Sequence, residues 1–303
     1  MPNWSEILTE IQKLGASGVP HPVDAVRRLH VKKLADYTGR NTIVYYSGFL
    51  HTQGSAALAI GDMDMNGFMT TVHKMDRTKG LDLVMHTPGG DVAAAESIVA
   101  YLRSMFGTNI RVIVPQLAMS AGTMIACASK EIVLGKQSSL GPFDPQLNGV
   151  STPAVLDEFA RALQEIKADP ACTALWQVII GKYHPTYLDS CHRATVWSKE
   201  IVKSWLMSGM FEDDPQADEK SSRVVASLSD HDVHKTHARH ISLDRCREIG
   251  LKVLALEGDG QLQELVLSVH HACMHTCGMA QVLKLIENDS GVGMVLTIGA
   301  TAP

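Results

Sequence analysis

Between residues 81 and 134 the chain twice repeats one pattern, an apolar strand, a turn carrying glycine and then a helix. Residues 81–85 and 110–114 are rich in Leu, Ile and Val and read as strands. The first leads into Thr87-Pro88-Gly89-Gly90 and a helix over 92–106, the second into Ala118-Met119-Ser120-Ala121-Gly122 and a buried, small-residue helix over 119–129. Strand-like runs at 42–46 and 131–134, with a helical pattern over 62–75, extend the alternation on both sides. Such a succession predicts an α/β fold of repeated βα units, with a parallel sheet covered on both faces.

Outside this block the pattern turns helical. Two helices are expected at 4–14 and 23–35, separated by the breaker cluster Gly18-Val19-Pro20-His21-Pro22. After a Ser-, Gly- and Pro-rich loop, residues 156–166, 171–182, 187–195, 198–210, 242–249 and 262–279 carry helical spacing, with one late strand expected near 251–256. The expected organisation is N-terminal helices over 1–38, a main α/β domain over 39–212, and a helical C-terminal region over 213–303 packing on it.

At 303 residues the chain is long enough to bury a full core. Its formal net charge of −5 and scattered Lys and Arg give no footprint for nucleic acid. The six cysteines are dispersed, which argues against a disulfide framework. The first residues lack the basic and apolar regions of a signal peptide, and no stretch reaches the ~18 to 20 apolar residues of a membrane span. A cytoplasmic protein is therefore expected.

The two turns carry the chemistry. Gly89 and Gly90 follow a strand, where glycine easily adopts the positive φ that turns amides outward. Neighbouring parallel strands end on one sheet edge, so both turns should meet there. Ser120 is then a candidate nucleophile at a helix mouth, and the amides of Gly89 or Gly90 with that of Ala121 are a candidate oxyanion hole. The plainer alternative is a tight Gly-Gly turn and a serine serving as helix N-cap.

With these residues the chain resembles the Clp protease/crotonase superfamily, and more specifically the serine dehydrogenase proteinase family, related to signal peptide peptidase A. The resemblance rests on Leu81-Asp82-Leu83 with His86-Thr87-Pro88-Gly89-Gly90, on Val114-Pro115 with Ala118-Met119-Ser120-Ala121-Gly122-Thr123, and on Leu140-Gly141-Pro142-Phe143-Asp144-Pro145-Gln146. It implies a cofactor-independent serine endopeptidase with Ser120 as nucleophile, acting on a peptide or protein, a membrane protein among the options. It also implies a homo-oligomer.

The general base does not transfer with the motifs. The Clp subunit has a histidine where this chain has the segment around Asp144, and no histidine lies between Ser120 and His184. Relatives of signal peptide peptidase use a lysine on a later helix, which makes Lys182 the favoured base, with Lys167 and His184 (beside Asp189) as alternatives. A lysine base must lose its proton near neutrality, which calls for desolvation or a nearby cation. Asp144 either orients the base or holds an Asp-Pro turn.

Two rival functions keep the same residues: a crotonase-like acyl-CoA enzyme, and a catalytically silent scaffold binding peptides or a membrane protein. Among His270, His271, Cys273, His275 and Cys277, helical spacing keeps the ligand types from converging on one ion, so no metal is expected. The series His231, His234, His237, His240 reads as a polar loop or a helix face, with metal binding or pH sensing as the functional option. The four tryptophans, Trp197 among them, read as packing or subunit contacts.

Overall fold

The computed structural model describes residues 4–299; Met1 to Asn3 and the last four residues of the expected C-terminal region lie outside it. The chain opens with α1 (Trp4–Ala16) and α2 (Pro22–Thr38), then β1 (Asn41–Ser47) and α3 (Asp64–Val72). The two predicted units follow as β2 (Leu81–His86) with α4 (Val92–Phe106), and β3 (Ile110–Val114) with α5 (Ala121–Cys127), before β4 (Glu131–Leu134). Next come α6 (Thr152–Ala168), α7 (Thr173–Ile180), α8 (Tyr187–Met207), α9 (Ala217–Ser229), α10 (His231–His234) and α11 (Leu243–Ile249). The chain ends with β5 (Val253–Ala255), α12 (Gly260–Met279), β6 (Val282–Asn288) and β7 (Gly293–Thr297).

Seven strands form one sheet in the order β5-β4-β3-β2-β1-β6-β7. Every residue of β1 and β2 is buried, as expected of central strands covered on both faces. The period-2 alternation of β1 divides the core. Ile43 and Tyr45 point into the larger core, with Phe68 of α3, Ile98 of α4, Met124 of α5 and Val202 of α8. Val44 and Tyr46 point the other way, against Leu34 of α2 and Val266 and Cys273 of α12. Ile7 and Ile11 of α1 pack outside that layer on Val26 and Ala272.

The sheet is not wholly parallel. β5 to β1 run parallel, but β6 pairs antiparallel with β1 and β7 antiparallel with β6. No element was expected from the sequence of β6 and β7, because Lys284 and Glu287 make the run look half-solvated. Both are buried and paired: Lys284 Nζ lies 3.1 Å from Asp64 Oδ2, and Arg27 Nε donates to Glu287 Oε2 at 2.8 Å. The region expected to be helical from residue 213 onward thus supplies three strands of this sheet, β5, β6 and β7. The two helices expected at 187–195 and 198–210 are the single helix α8, there being no Gly or Pro between them.

Candidate active site

The turn after β2 and the turn after β3 meet at the carboxyl edge of the sheet, sewn together by backbone. Thr87 N donates to Leu117 O at 3.0 Å, and Met119 N donates to Thr87 O at 3.1 Å. The fit admits nothing beyond glycine. A Cβ on Gly89 (φ 95°) would stand 2.6 Å from both Met119 O and Ser120 Cβ, and one on Gly90 (φ 156°) would stand 2.3 Å from Ile60 N. Below the turn, His86 is fully buried at the end of β2, and its Nδ1 accepts from Leu117 N at 3.4 Å. Burial lowers its pKa to about 4, so the ring is neutral and keeps that acceptor.

Ser120 occupies the position before α5, at φ 51° and ψ −119°, and its side chain caps nothing. The plain N-cap alternative is thus not what the structure contains. A non-glycine residue in this conformation is strained, and strain of this kind gathers at functional sites. α5 behind it is buried throughout. Gly122 lets Thr87 approach, since a Cβ there would stand 2.6 Å from Thr87 Cγ2. Thr123 Oγ1 accepts from Gly141 N at 2.9 Å and contacts Ala118 O at 2.8 Å, fixing the 140–145 loop to the Ser120 turn.

The backbone donors around Ser120 differ in availability. Gly89 N donates to Thr87 Oγ1 at 3.2 Å. The Gly90 and Ala121 amides donate to no acceptor among the described residues. Ser120 and both glycines line a cavity of about 400 Å³, walled by Met124, Leu147, Trp197 and His237. Trp197, expected as a packing or subunit residue, is therefore part of the cavity wall.

His237 arrives from the loop after α10, and its Nδ1 lies 2.8 Å from Oδ1 of Asp144, whose side chain is 2% exposed. Burial alone would raise the Asp144 pKa; hydrogen bonds from His237 and Ser151 and the nearby His231 outweigh it and hold the carboxyl below its usual range. With Nδ1–H donated to Asp144, the second ring nitrogen of His237 is the basic one.

The lysines fall elsewhere. Lys182 is exposed just beyond α7, Lys167 is exposed on α6, and His184 is exposed with Nδ1 2.5 Å from Pro185 O. None of the three lines the cavity with Ser120. The apolar run before Lys182 suggested burial, but Val178 is 65% exposed and shields nothing. His237 was legible only as one of four histidines spaced three residues apart, and sequence spacing carries no sign of its pairing with Asp144.

The other constellations resolve as packing. His275 Nε2 contacts Trp4 O at 3.0 Å, His270 Nδ1 contacts the Tyr46 hydroxyl at 3.2 Å, and Cys273 and Cys277 are buried free thiols. Among the described residues no group of three or more His, Cys, Asp or Glu is arranged to hold a metal. Nor is any described helix long and apolar enough to cross a membrane.

Residues 58–182 match the family model of ClpP-like SDH-type serine proteinases. Over this stretch, about two fifths of its length, the chain is similar to that family. The uncharacterized protein MJ0137 of Methanocaldococcus jannaschii is 30% identical over 190 residues, which is 63% of this chain and 59% of the relative. MJ1495 of the same organism, also uncharacterized, is 28% identical over 173 residues, 57% of this chain and 51% of the relative. The chain thus spans only between half and three-fifths of the curated relatives it matches. The family stretch includes Gly89, Gly90, Ser120, Ala121 and Asp144 but ends before His237.

Proposed function

We propose that the protein is a serine endopeptidase in which Ser120, His237 and Asp144 form the catalytic triad and the Gly90 and Ala121 amides form the oxyanion hole. The observation that carries this reading is that His237, bonded through Nδ1 to buried Asp144, lines the same cavity as the strained Ser120. Lys182 is not retained as base, because it is exposed and outside that cavity. Gly90 is preferred to Gly89 because the Gly89 amide is already engaged with Thr87.

The reaction follows from this arrangement. His237 Nε2 takes the Ser120 proton as Oγ attacks the scissile carbonyl, and the developing oxyanion accepts hydrogen bonds from the Gly90 and Ala121 amides. Asp144 holds the imidazole in the required tautomer and stabilises the imidazolium. The proton then passes to the leaving amine, which departs and leaves an acyl group on Ser120. A water deprotonated by His237 hydrolyses that ester and restores both groups.

The substrate is a peptide or protein, and the working form is a homo-oligomer, in keeping with the family; no cofactor takes part in any step. A fluorophosphonate probe should label the protein at Ser120, and Ser120→Ala should abolish labelling. His237→Ala should slow labelling by roughly 10²–10⁴-fold, the usual contribution of a general base. Labelling that persists in Ser120→Ala would overturn the nucleophile, and full-rate labelling of His237→Ala would overturn the base. A protein inert to the probe that still captures peptides would instead be the silent scaffold.

A further inference from the structure

Asp144 has two carboxylate oxygens, and the triad uses only one. The other, Oδ2, accepts a hydrogen bond from Ser151 Oγ at 2.9 Å. Ser151 Oγ in turn lies 3.3 Å from His231 Nδ1, which is 3.8 Å from Oδ2 itself. A serine hydroxyl has a single proton, so once it is given to Asp144 the remaining contact runs from His231 Nδ1–H to the Ser151 oxygen. The result is a chain, His231 to Ser151 to Asp144 to His237, ending in the cavity that Ser120 also lines.

Local structure supports a dedicated role for Ser151. It sits immediately before α6, in the extended conformation of an N-cap, yet its side chain makes no capping bond. Serine at that position normally contributes on the order of 1 kcal/mol by capping; here the hydroxyl is aimed back at Asp144 instead. The backbone is shaped to allow it. Gln146–Leu147 pairs antiparallel with Val150–Ser151 across a tight turn, in which Asn148 (φ 53°) and Gly149 (φ 78°) both take left-handed conformations. Thr152 N closes the loop onto Pro145 O at 2.9 Å. This hairpin returns the chain from Asp144 to a point where residue 151 meets its carboxylate. His231 comes from the start of α10, and the loop that follows this helix carries His237.

We infer that Ser151 and His231 are positioning residues of the catalytic site, which hold the second oxygen of Asp144 and so set the orientation and basicity of His237. This rests on the reading of His237 as general base. With Oδ2 engaged, the carboxylate charge is shared between two sides, and the ring is gripped through Oδ1 alone. Without that bond the charge concentrates on His237, the imidazolium is favoured, and a higher pH is needed to free the base. His231 also faces Asp157, Glu158 and Arg161 of α6, Tyr183, and its neighbour Asp232. On the cavity side, Asp91 is the other ionisable residue lining the space with His237.

The test is the pH dependence of fluorophosphonate labelling in the full chain. Ser151→Ala should slow labelling about tenfold at pH 7 and move the acid limb of the profile upward by roughly half a unit to one unit. Ser151→Thr, which keeps the hydroxyl, should restore both. His231→Ala should shift the limb in the same direction by less, and His231→Gln, which keeps a donor, should restore it. A Ser151→Ala protein with the parental rate and limb overturns the inference, as does a slower protein whose limb has not moved. His237→Ala separates this from the underlying reading: if it labels at full rate the base is wrong, and if it is inert while Ser151→Ala is unaltered, only the positioning role fails.

Discussion

In the proposed site Ser120 would combine two demands in one residue, a nucleophilic hydroxyl and a backbone that an L-residue resists. At φ 51° and ψ −119° it occupies territory natural to glycine, and such strain costs about 1–3 kcal/mol. Ser120→Gly relieves that strain but adds about 0.5–1 kcal/mol of unfolded-state entropy. The net expectation is a protein about 1 kcal/mol more stable than Ser120→Ala and equally inactive, measured by urea unfolding of the two variants. A glycine variant no more stable than the alanine variant would mean that the turn carries no strain to release. The two turns and their meeting at one sheet edge were legible in the sequence because their signal is local: two glycines and a serine, each following a strand. The place of His237 in the same cavity was not, because it depends on a contact with Asp144 that only the folded chain creates. Lys182, expected in apolar surroundings, is exposed for a similar reason. Apolar neighbours in sequence imply burial only if the helix face turns inward, and α7 exposes Leu175 and Val178.

Among the elements, β1 to β4 and α4 followed their hydrophobic patterns to within a residue or so, whereas β6 and β7 were invisible. The run Val282-Leu283-Lys284-Leu285-Ile286-Glu287-Asn288 hides a central strand behind two charges. Each charge is neutralised by a helix on the far side of the chain. Arg27 of α2 reaches Glu287 through Nε at 2.8 Å and Nη2 at 3.1 Å, with side chains 0% and 1% exposed, and Arg28 adds a third bond at 2.8 Å. Buried pairs of this kind punish removal of one partner by about 3–5 kcal/mol, since the survivor stays desolvated. Glu287→Gln should therefore destabilise the protein by about 3 kcal/mol, toward the lower end because Asp24 still accepts from Arg27 at 2.6 Å. Urea unfolding gives the value, and a loss under about 1 kcal/mol would mean the pair is not the tie between α2 and β6 described above. The cap of α4, by contrast, is a local feature: Asp91 at its head accepts from Ala94 N at 2.8 Å, as an acid after a turn should.

For the whole molecule, the notable fact is how widely separated in sequence the parts of one cavity are. Gly89 and Gly90 come from the second βα unit of the sheet, Ser120 from the next, Trp197 from α8, and His237 from a loop beyond the stretch that matches the family model. The central strands β1 and β2 and helix α5 are buried throughout, while the segment 231–240 is held to the site through Asp144, Ser151 and the contact of His234 Nε2 with Ser227 O at 2.7 Å. Few backbone hydrogen bonds anchor that segment, which places its local opening at the low end of the stability range. A peptide boronate that forms a tetrahedral adduct with Ser120 should engage the turn and the histidine together. Hydrogen–deuterium exchange should then slow over both 87–92 and 231–240, two segments that share no sequence proximity. In His237→Ala the same adduct should still protect 87–92 but leave 231–240 exchanging as in the free protein. If 231–240 were protected equally in the variant, the segment would be responding to the ligand's bulk and not to a bond through His237. If it were protected in neither protein, His237 would not be part of the site that the boronate occupies.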